Sequence, residues 1–316
     1  FVWAARSRWC LGLGMSEEIS PEVLAFATEI GSSGLVTVAG GRTQWTVGGS
    51  PLEGVREVTA PSGIWAYEPE EMTVRCGAGT TLQELSAALS KYGQMVPFDL
   101  SPSATVGGAL AVGRSGYRRL RYGHIRDFVL QVRHIDHKGQ VVSAGGPTVK
   151  NVSGYDLCRL MVGSLGKLGC IAEVTLRCLP IPQTSKWLTG RQDPFDVFAK
   201  LYRPSAILWD GDQVWVCLEG VSSDVEAQSN LLDLEETAVP PRLPDRGRMS
   251  LTPKALKTFD RPSGNWVAEV GVGVVHMEQP NADPAISNIN LSLMRELENR
   301  LDPGGRFNPG RKVLSE

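Results

Sequence analysis

Helical spacing of apolar residues marks two helices in the first hundred residues of this chain. The first is predicted from Ser20, which is followed by a proline at the first helical position, to Gly31. The second is predicted from Thr81, which forms a capping-box pattern with Glu84, to Gly93. Apolar runs bounded by turn residues predict strands over 36–39 and 72–76. Together these elements indicate a small α/β unit.

Alternation of apolar and polar residues predicts strands in the following eighty residues. It is clearest over 128–133, and residues 136–139 form a turn that leads the chain back into a second strand. Alternate positions within 170–178 form one apolar face of a longer strand. Between these strands, Asp156 is placed to cap a short helix. The pattern predicts a second α/β unit.

The pattern weakens beyond residue 183. Strands are predicted over 214–218 and 267–275, and apolar spacing predicts a helix over 286–297. Residues 233–263 are polar and rich in proline, which predicts a loop or a mobile insertion.

The composition is that of a globular protein with more than one domain. The chain has 316 residues, of which 42% are hydrophobic and 21% charged, and single hydrophobic cores stop growing near about 250–300 residues. The net charge of −2 gives no overall attraction to nucleic acid or to an anionic membrane. The six cysteines form no CxxC pair, and they show no metal-ligand spacing with the four histidines. Residues 1–14 precede Met15 and are expected to be a non-native extension.

The most informative motif is the segment 97–111, in which two prolines precede small and hydroxyl residues and the pair Gly107-Gly108. Glycine allows backbone amides to come close to a ligand, and successive amides at such a turn form a concavity suited to anions. A tight turn in any sheet protein has a similar sequence. The motif by itself therefore leaves both interpretations open.

Further motifs accompany it in a consistent order. They occupy residues 36–43, 121–123, 150–157 and 163–169. In this order and spacing, over roughly residues 35 to 181, the five motifs resemble the FAD-binding domain of the vanillyl-alcohol oxidase family, also called the PCMH-type fold. No stretch of apolar residues approaches the ~20 residues of a membrane-spanning helix.

The resemblance implies an α+β fold class: a PCMH-type FAD-binding domain of two α/β subdomains, followed by a short α+β substrate or cap domain. The FAD-binding domain is expected over 15–181, with subdomains about 15–98 and 99–181, and the reduced cap domain over 182–316. The motif Asn308-Pro309-Gly310 resembles the terminal motif with which this family returns to the FAD domain.

The resemblance also implies where FAD binds, since the chain has no GxGxxG fingerprint in a strand–turn–helix context. One side of the pyrophosphate is expected against Gly40, Gly41, Arg42 and Thr43. The other side is expected against Ser103, Ala104, Thr105, Val106, Gly107 and Gly108. The remaining contacts that the resemblance implies are Pro97, Gly116, Gly123, Lys150, Gly163, Ser164, Leu165, Gly166, Gly169 and Ile171. No histidine or cysteine stands where the motif would favour a covalent link, so the expected FAD is non-covalent.

The string 149–157 resembles the flavoprotein subunits of glycolate oxidase and related D-2-hydroxy-acid dehydrogenases. Leu165 stands where their glycine loop has glutamate, and Lys167 stands where it has threonine. A leucine at that position resembles the smaller FAD-binding subunit of the glycolate oxidase complex. The implied function is to take part in the oxidation of glycolate or D-lactate to the 2-oxo acid, with electrons passed to a partner. The expected partners are a second flavoprotein subunit, an iron–sulfur subunit and a small 2-hydroxy acid, in the cytoplasm with peripheral attachment to the inner membrane through those partners.

Other functions stay open. The chain is alternatively a self-sufficient FAD-dependent oxidase or dehydrogenase of a hydroxy acid or polyol, or a flavin-free scaffold subunit. A UDP-sugar reductase of the same fold is a further alternative, but it does not account for the string 149–157.

The sequence does not define a catalytic set. Oxidation of a 2-hydroxy acid needs a base near the hydroxyl and a cation for the carboxylate. His276 is the one histidine of the C-terminal region, and a single histidine is more often structural than catalytic. The basic segment 114–138 is typical either of a solvated face or of a rim that attracts a pyrophosphate or an anionic substrate. The candidate cations, which the sequence does not rank, are Arg114, Arg118, Arg306 and Arg311.

Overall fold

The computed structural model describes residues 18–146, 157–279 and 288–312. Its α-helices are α1 (Pro21–Ile30), α2 (Leu82–Ser90), α3 (Val106–Val112), α4 (Arg119–Tyr122), α5 (Leu157–Met161), α6 (Pro194–Lys200), α7 (Ser222–Ser229) and α8 (Asn288–Leu301). Its strands are β1 (Val36–Val38), β2 (Arg56–Val58), β3 (Ile64–Glu68), β4 (Thr73–Gly77), β5 (Gln94–Met95), β6 (Val129–Ile135), β7 (Val141–Gly145), β8 (Cys170–Arg177), β9 (Leu179–Pro180), β10 (Thr184–Gly190), β11 (Ala206–Trp209), β12 (Val214–Gly220), β13 (Glu235–Thr237), β14 (Gly247–Ser250), β15 (Trp266–Glu269) and β16 (Val274–Met277). Short 3₁₀ helices occupy Ile125–Phe128 and Ala255–Lys257.

A five-stranded antiparallel sheet forms the first lobe, in the order β3-β4-β8-β6-β7. The central strand is β8, in which Ala172, Val174 and Leu176 are fully buried. This confirms the apolar face predicted for that strand. The opposite face of β8 is buried too, and it carries Glu173. The Glu173 carboxylate accepts a 3.0 Å hydrogen bond from Arg133, and this pairing offsets the cost of burying its charge.

This first sheet contains strands from both sides of residue 98. β3 and β4 precede that position, while β6, β7 and β8 follow it. The two predicted subdomains therefore share one sheet and one hydrophobic core, to which the C-terminal tail adds Phe307.

A seven-stranded antiparallel sheet forms the second lobe, in the order β13-β10-β12-β11-β15-β16-β14. One face is covered by α6 and α7, which contribute Val197 and Val225 to the core. Leu208 and Cys217 lie on the other face, against Tyr117 of the first lobe. Because alternate residues of a strand point to opposite faces, the second sheet has one face for its own core and one for the first lobe.

The local signals at helix ends and turns hold in the structure. Ser20 caps α1, and its Oγ accepts the backbone N–H of Val23. The capping box of α2 is present in both directions, between Thr81 and Glu84. In the 136–139 turn, the Asp136 carboxylate accepts backbone N–H groups from the residues that follow it.

Two predictions for the second lobe were wrong. Residues 267–275 were predicted as one strand, but they form parts of β15 and β16 joined by a turn in which Gly271 and Gly273 have φ of 86° and 87°. Residues 233–263 were predicted as a loop, but they include β13 and β14, the two edges of the second sheet. Strands of three or four residues with one neighbour each have too few positions for a clear alternation.

Within the described ranges, no helix is long and apolar enough to cross a membrane. The proposed extension 1–14 lies outside those ranges.

Candidate functional site

A crevice in the first lobe brings together several separate segments of the chain. They include the loop that follows β1, the turn that follows β4, helix α3, the loop that precedes β8, and the C-terminal tail. The crevice holds about 870 Å³ of space outside the protein atoms, including the solvent at its mouth. This is within the roughly 300–1,000 Å³ of small-molecule and cofactor pockets.

The two glycine-rich loops of the sequence meet at this crevice. A Cβ added to Gly40 would lie 2.3 Å from Oγ1 of Thr105, and one added to Gly41 would lie 1.8 Å from the backbone oxygen of Ser103. Only glycine allows the two loops to pack so closely. Arg42 and Thr105 therefore share one crevice, as the predicted diphosphate site requires.

The backbone amides of residues 40–43 make no hydrogen bond within the part of the chain that the structure describes. The amides of neighbouring loops are engaged: Val106 donates to Thr80 and Gly107 donates to Ala78. Residues 40–43 are exposed at the mouth of the crevice, and successive amides without a protein partner can donate hydrogen bonds to an anionic ligand there.

Strained backbone is concentrated at the crevice. Among the described residues, the non-glycine residues with positive φ are Arg42, Met72, Leu165, Arg203 and Asn308. Three of them, Arg42, Leu165 and Asn308, line the crevice. Such conformations cost free energy and persist where the surrounding structure holds them, often at ligand sites.

The C-terminal tail closes one side of the crevice through Asn308. Its Oδ1 accepts a hydrogen bond from Thr37 of β1, and its Nδ2 donates to the backbone oxygen of Leu165 at 2.8 Å. A Cβ on Gly166 would lie 2.4 Å from that Nδ2. Asn308 therefore joins the first strand to the loop before β8, and all of these groups are buried.

An aromatic ring lies between two cations at the edge of the crevice. The guanidinium of Arg42 lies 4.6 Å from the centre of the Trp45 ring, and that of Arg311 lies 4.4 Å from it. Arg311 also donates to the backbone oxygens of Trp45, Val47 and Gly49. Burial lowers the pKa of Arg311. Arg42 is more exposed and forms an ion pair with Glu57.

The structure brings most of the predicted cofactor contacts together. Those that line the crevice are Gly40, Gly41, Arg42, Thr43, Ala104, Thr105, Gly107, Gly108, Leu165, Gly166, Gly169 and Ile171.

Other predicted contacts lie behind or beside the crevice walls. Ser103 supports Gly41 through its backbone oxygen, and Val106 is fully buried in the core. Ser164 caps its own turn by accepting the N–H of Gly166. The rest are Pro97, buried after β5, Gly116, packed on Asp99, Gly123, at the end of α4, and Gly163, packed on Gly113. Lys150 lies outside the described residues.

The sequence reasoning missed several residues that line the crevice. Trp45, Ala78 and Gly79 were not predicted, and Arg311 was considered only as a cation for substrate. Gly79, in the turn beside Ala78, was the one local signal that this segment lines the crevice. Trp45 has no signal in its own neighbourhood, because its position between two arginines depends on the tail.

The comparison with known proteins places this crevice in a family. A family of FAD binding domains matches residues 16–145. The glycolate oxidase subunit GlcE of Escherichia coli (strain K12) is 32% identical over 83% of this chain and 88% of that protein. The chain belongs to the family of this subunit. It is also 37% identical to a D-lactate dehydrogenase of Archaeoglobus fulgidus, over 52% of this chain but only 37% of that protein.

Solved structures confirm the fold expected for this family. The chain matches an alkyldihydroxyacetonephosphate synthase with a TM-score of 0.64, over 91% of this chain and 73% of that one, at 16% identity. The PCMH-type α+β architecture predicted from the motifs is therefore confirmed.

The crevice of this FAD-binding domain suits its cofactor. FAD carries an anionic pyrophosphate, and the free amides of residues 40–43 together with Arg42 can bind phosphate oxygens. Apart from these groups, the crevice is lined mostly by glycine, alanine and aliphatic residues, which leave room for flat rings. Within the described ranges, no group of three or more His, Cys, Asp or Glu residues is placed to hold a metal ion.

Proposed function

We propose that this chain is the FAD-binding subunit of a 2-hydroxy-acid oxidoreductase of the glycolate oxidase type. It takes part in the oxidation of glycolate or D-lactate to the 2-oxo acid. The observation that carries the proposal is the pairing of two glycine loops around free amides, in a chain whose relatives are named for glycolate and D-lactate oxidation.

Under this proposal, different segments of the chain bind different parts of FAD. The amides of residues 40–43 and the start of α3 hold the pyrophosphate, while the loop before β8 and the tail enclose the rest. FAD binds without a covalent link under this proposal. Cys170 lines the crevice, but burial raises the pKa of its thiol to about 12. A protonated, buried thiol is a poor nucleophile.

The proposed electron acceptors are partner subunits. The relative that covers most of this chain is named as a subunit, which supports an assembly of several chains. A second flavoprotein subunit and an iron–sulfur subunit are the proposed partners. Through them the chain would work in the cytoplasm at the inner membrane.

The first experiment measures the flavin of the purified chain. A yellow protein is expected, which releases about one FAD per chain on denaturation. The Gly41→Ala variant should bind FAD at least about tenfold more weakly, because its Cβ displaces the Ser103 loop and misplaces donors worth about 1.5 kcal/mol or more. Gly304→Ala is the matched control, since its Cβ would meet nothing nearer than 3.5 Å.

A colourless wild-type protein with no affinity for added FAD would refute the proposal and favour the scaffold alternative. Anaerobic mixing of the yellow protein with glycolate or D-lactate then separates the remaining alternatives. Slow or absent bleaching that becomes fast with the partner subunits supports the subunit role, whereas catalytic reduction by the chain alone supports a self-sufficient enzyme.

A further inference from the structure

A second concave site, the junction pocket, lies where the two lobes meet. The ends of α4 and β8 line it from the first lobe, and the end of β12 and the loop between α6 and β11 line it from the second. The linker 179–183 between the lobes completes the lining. The pocket holds about 1000 Å³ of space outside the protein atoms, including the solvent at its open mouth. Any molecule that fills it therefore contacts both lobes.

The junction pocket is separate from the crevice of the first lobe. Ile171, near the start of β8, lines the crevice, whereas Arg177, at the end of the same strand, lines the pocket. A strand advances about 3.3 Å per residue, so these two positions are about 20 Å apart. The pocket is therefore not part of the proposed cofactor site.

The charge of the junction pocket is one-sided. Arg121, Arg177 and Arg203 line it, and no aspartate or glutamate of the described residues does. The Arg177 guanidinium lies 5.4 Å from the centre of the Phe128 ring. The side chains of Arg177 and Arg203 make no hydrogen bond or ion pair with any residue that the structure describes. In a chain whose net charge is −2, three such guanidinium groups around one pocket favour an anionic partner.

The backbone holds Arg203 at the rim of the pocket. Its φ is 49°, in the left-handed region that favours glycine. Its backbone oxygen accepts a 3.0 Å hydrogen bond from the guanidinium of Arg121, which ties this loop of the second lobe to α4 of the first. Strained residues of this kind persist where their neighbours hold them, often where a protein binds a ligand. Two of the three arginines are therefore held together across the lobe junction.

Apolar side chains adjoin the arginines. Ile181 and Val221 line the pocket and are 43% and 51% exposed, and Tyr202, which precedes Arg203, is 76% exposed. Arginine, aromatic and apolar residues with few lysines and carboxylates are typical of protein interfaces. A small inorganic anion would leave these apolar groups in water, and a concave pocket does not match a flat membrane surface. The lining therefore favours a protruding segment of another protein.

We propose that the junction pocket docks a segment of a partner subunit that carries acidic and apolar side chains. Arg121, Arg177 and Arg203 bind its carboxylates, since guanidinium groups recognise carboxylates through paired hydrogen bonds. The apolar side chains of the segment cover Ile181 and Val221. The inference rests on the proposed function, under which this chain is one subunit of an oxidoreductase assembly.

The test measures the Kd between the FAD-containing chain and the two proposed partners, the second flavoprotein subunit and the iron–sulfur subunit, each immobilised in turn for surface plasmon resonance. Arg177→Gln and Arg203→Gln should each raise the Kd for the docked subunit about tenfold or more, because each removes a charged hydrogen-bond donor. The wild-type Kd should rise with salt, and this dependence should be weaker in both variants.

Arg191→Gln is the matched control. Arg191 follows β10 at the end away from the linker, and it is exposed and paired with Asp212 at 2.9 Å. This variant should change the Kd by less than about twofold. Arg203 is exposed, so Arg203→Gln keeps the test valid even if Arg177→Gln fails to fold.

An unchanged Kd in Arg203→Gln overturns the docking site. It does so even if that variant loses binding of inorganic phosphate or of phosphatidylglycerol vesicles, which would mark the pocket as a site for a small anion or for a membrane. A wild-type chain that retains FAD but binds neither subunit contradicts the proposed partners and the docking site together. The wild type and the variants therefore distinguish failure of the proposed function from failure of the docking site alone.

Discussion

Arg118 of the first lobe donates a 3.0 Å hydrogen bond from its guanidinium to the carboxylate of Glu219, on β12 of the second lobe. The same guanidinium binds Asp99 at 2.7 Å, and Tyr122 donates to Glu219 at 2.9 Å. Burial raises the pKa of Asp99, and Arg118 opposes that shift. Arg118 and Tyr122 therefore connect the segment that follows α3 to the second sheet through Glu219.

Glu219→Gln should weaken the connection between the lobes. The variant keeps the size of the side chain, but it removes the charge that Arg118 and Tyr122 bind, so the free energy of unfolding should fall by about 2 kcal/mol. Urea denaturation measures this change. Glu226→Gln is a matched control, because its ion pair with Lys186 lies on the surface, where solvent screens the charges, and its effect should be much smaller. Equal effects of the two variants would contradict the buried connection.

Asn308→Ala should destabilise the first lobe and weaken FAD binding together. The change leaves the Thr37 hydroxyl and the Leu165 backbone oxygen without their partner, and it places alanine at a φ of 46°. The expected loss is about 2–3 kcal/mol of unfolding free energy. Thermal denaturation and FAD titration check the two effects. Asn299→Ala, at an exposed position of α8, should change the unfolding free energy by less than about 0.5 kcal/mol.

As the pH falls from about 6.5 to about 4, the free energy of unfolding of the chain should decrease because of His124. Its Nδ1 accepts the backbone N–H of Arg126. Burial, with further contributions from Arg119 and Arg126 and against the opposing charge of Asp127, lowers its pKa to about 4. An unfolded histidine titrates near about 6.5. Below that pH the unfolded chain binds a proton that the folded chain does not, so the free energy of unfolding falls as the pH falls through this window.

His124→Asn isolates this effect. Asparagine can still cap the 3₁₀ helix, but it does not titrate. Because His124 is half-exposed and solvent screens its charge, the wild type should lose only about 1 kcal/mol more than the variant between pH 6.5 and pH 4. Parallel stability curves for the two proteins over this window would show that His124 does not control the pH dependence.

Thr81→Ala should lower the stability of the first lobe by about 1 kcal/mol. Thr81 accepts the N–H of Glu84, and the Glu84 carboxylate accepts the N–H of Thr81 in return. The Thr28→Ala variant serves as control, since the Thr28 hydroxyl only bonds an exposed backbone oxygen within α1. An equal loss in both variants, measured by thermal denaturation, would mean that the capping box contributes nothing specific.

Features that depend on neighbouring residues could be predicted from the sequence. The capping box of Thr81 and Glu84 is closed within four residues, and the buried face of β8 repeats every second position. The two glycine loops were also predicted, because Gly40 and Gly107 occur in recognisable motifs. The short strands β13 and β14 were not, since each gains its stability from one neighbour across the sheet.

The local elements, the glycine loops and the family to which the crevice belongs follow from the order of the amino acids. Which charged groups have partners depends instead on contacts between distant parts of the chain. Arg114 and Arg118 are four residues apart in the same basic segment, yet Arg118 meets Asp99 and Glu219 while Arg114 meets no hydrogen-bond partner among the described residues. Glu219 is about a hundred residues away in the chain and reaches Arg118 because the second sheet turns that face toward the first lobe. The availability of a charge depends on such distant partners and on burial, and neither is encoded in the few residues around it.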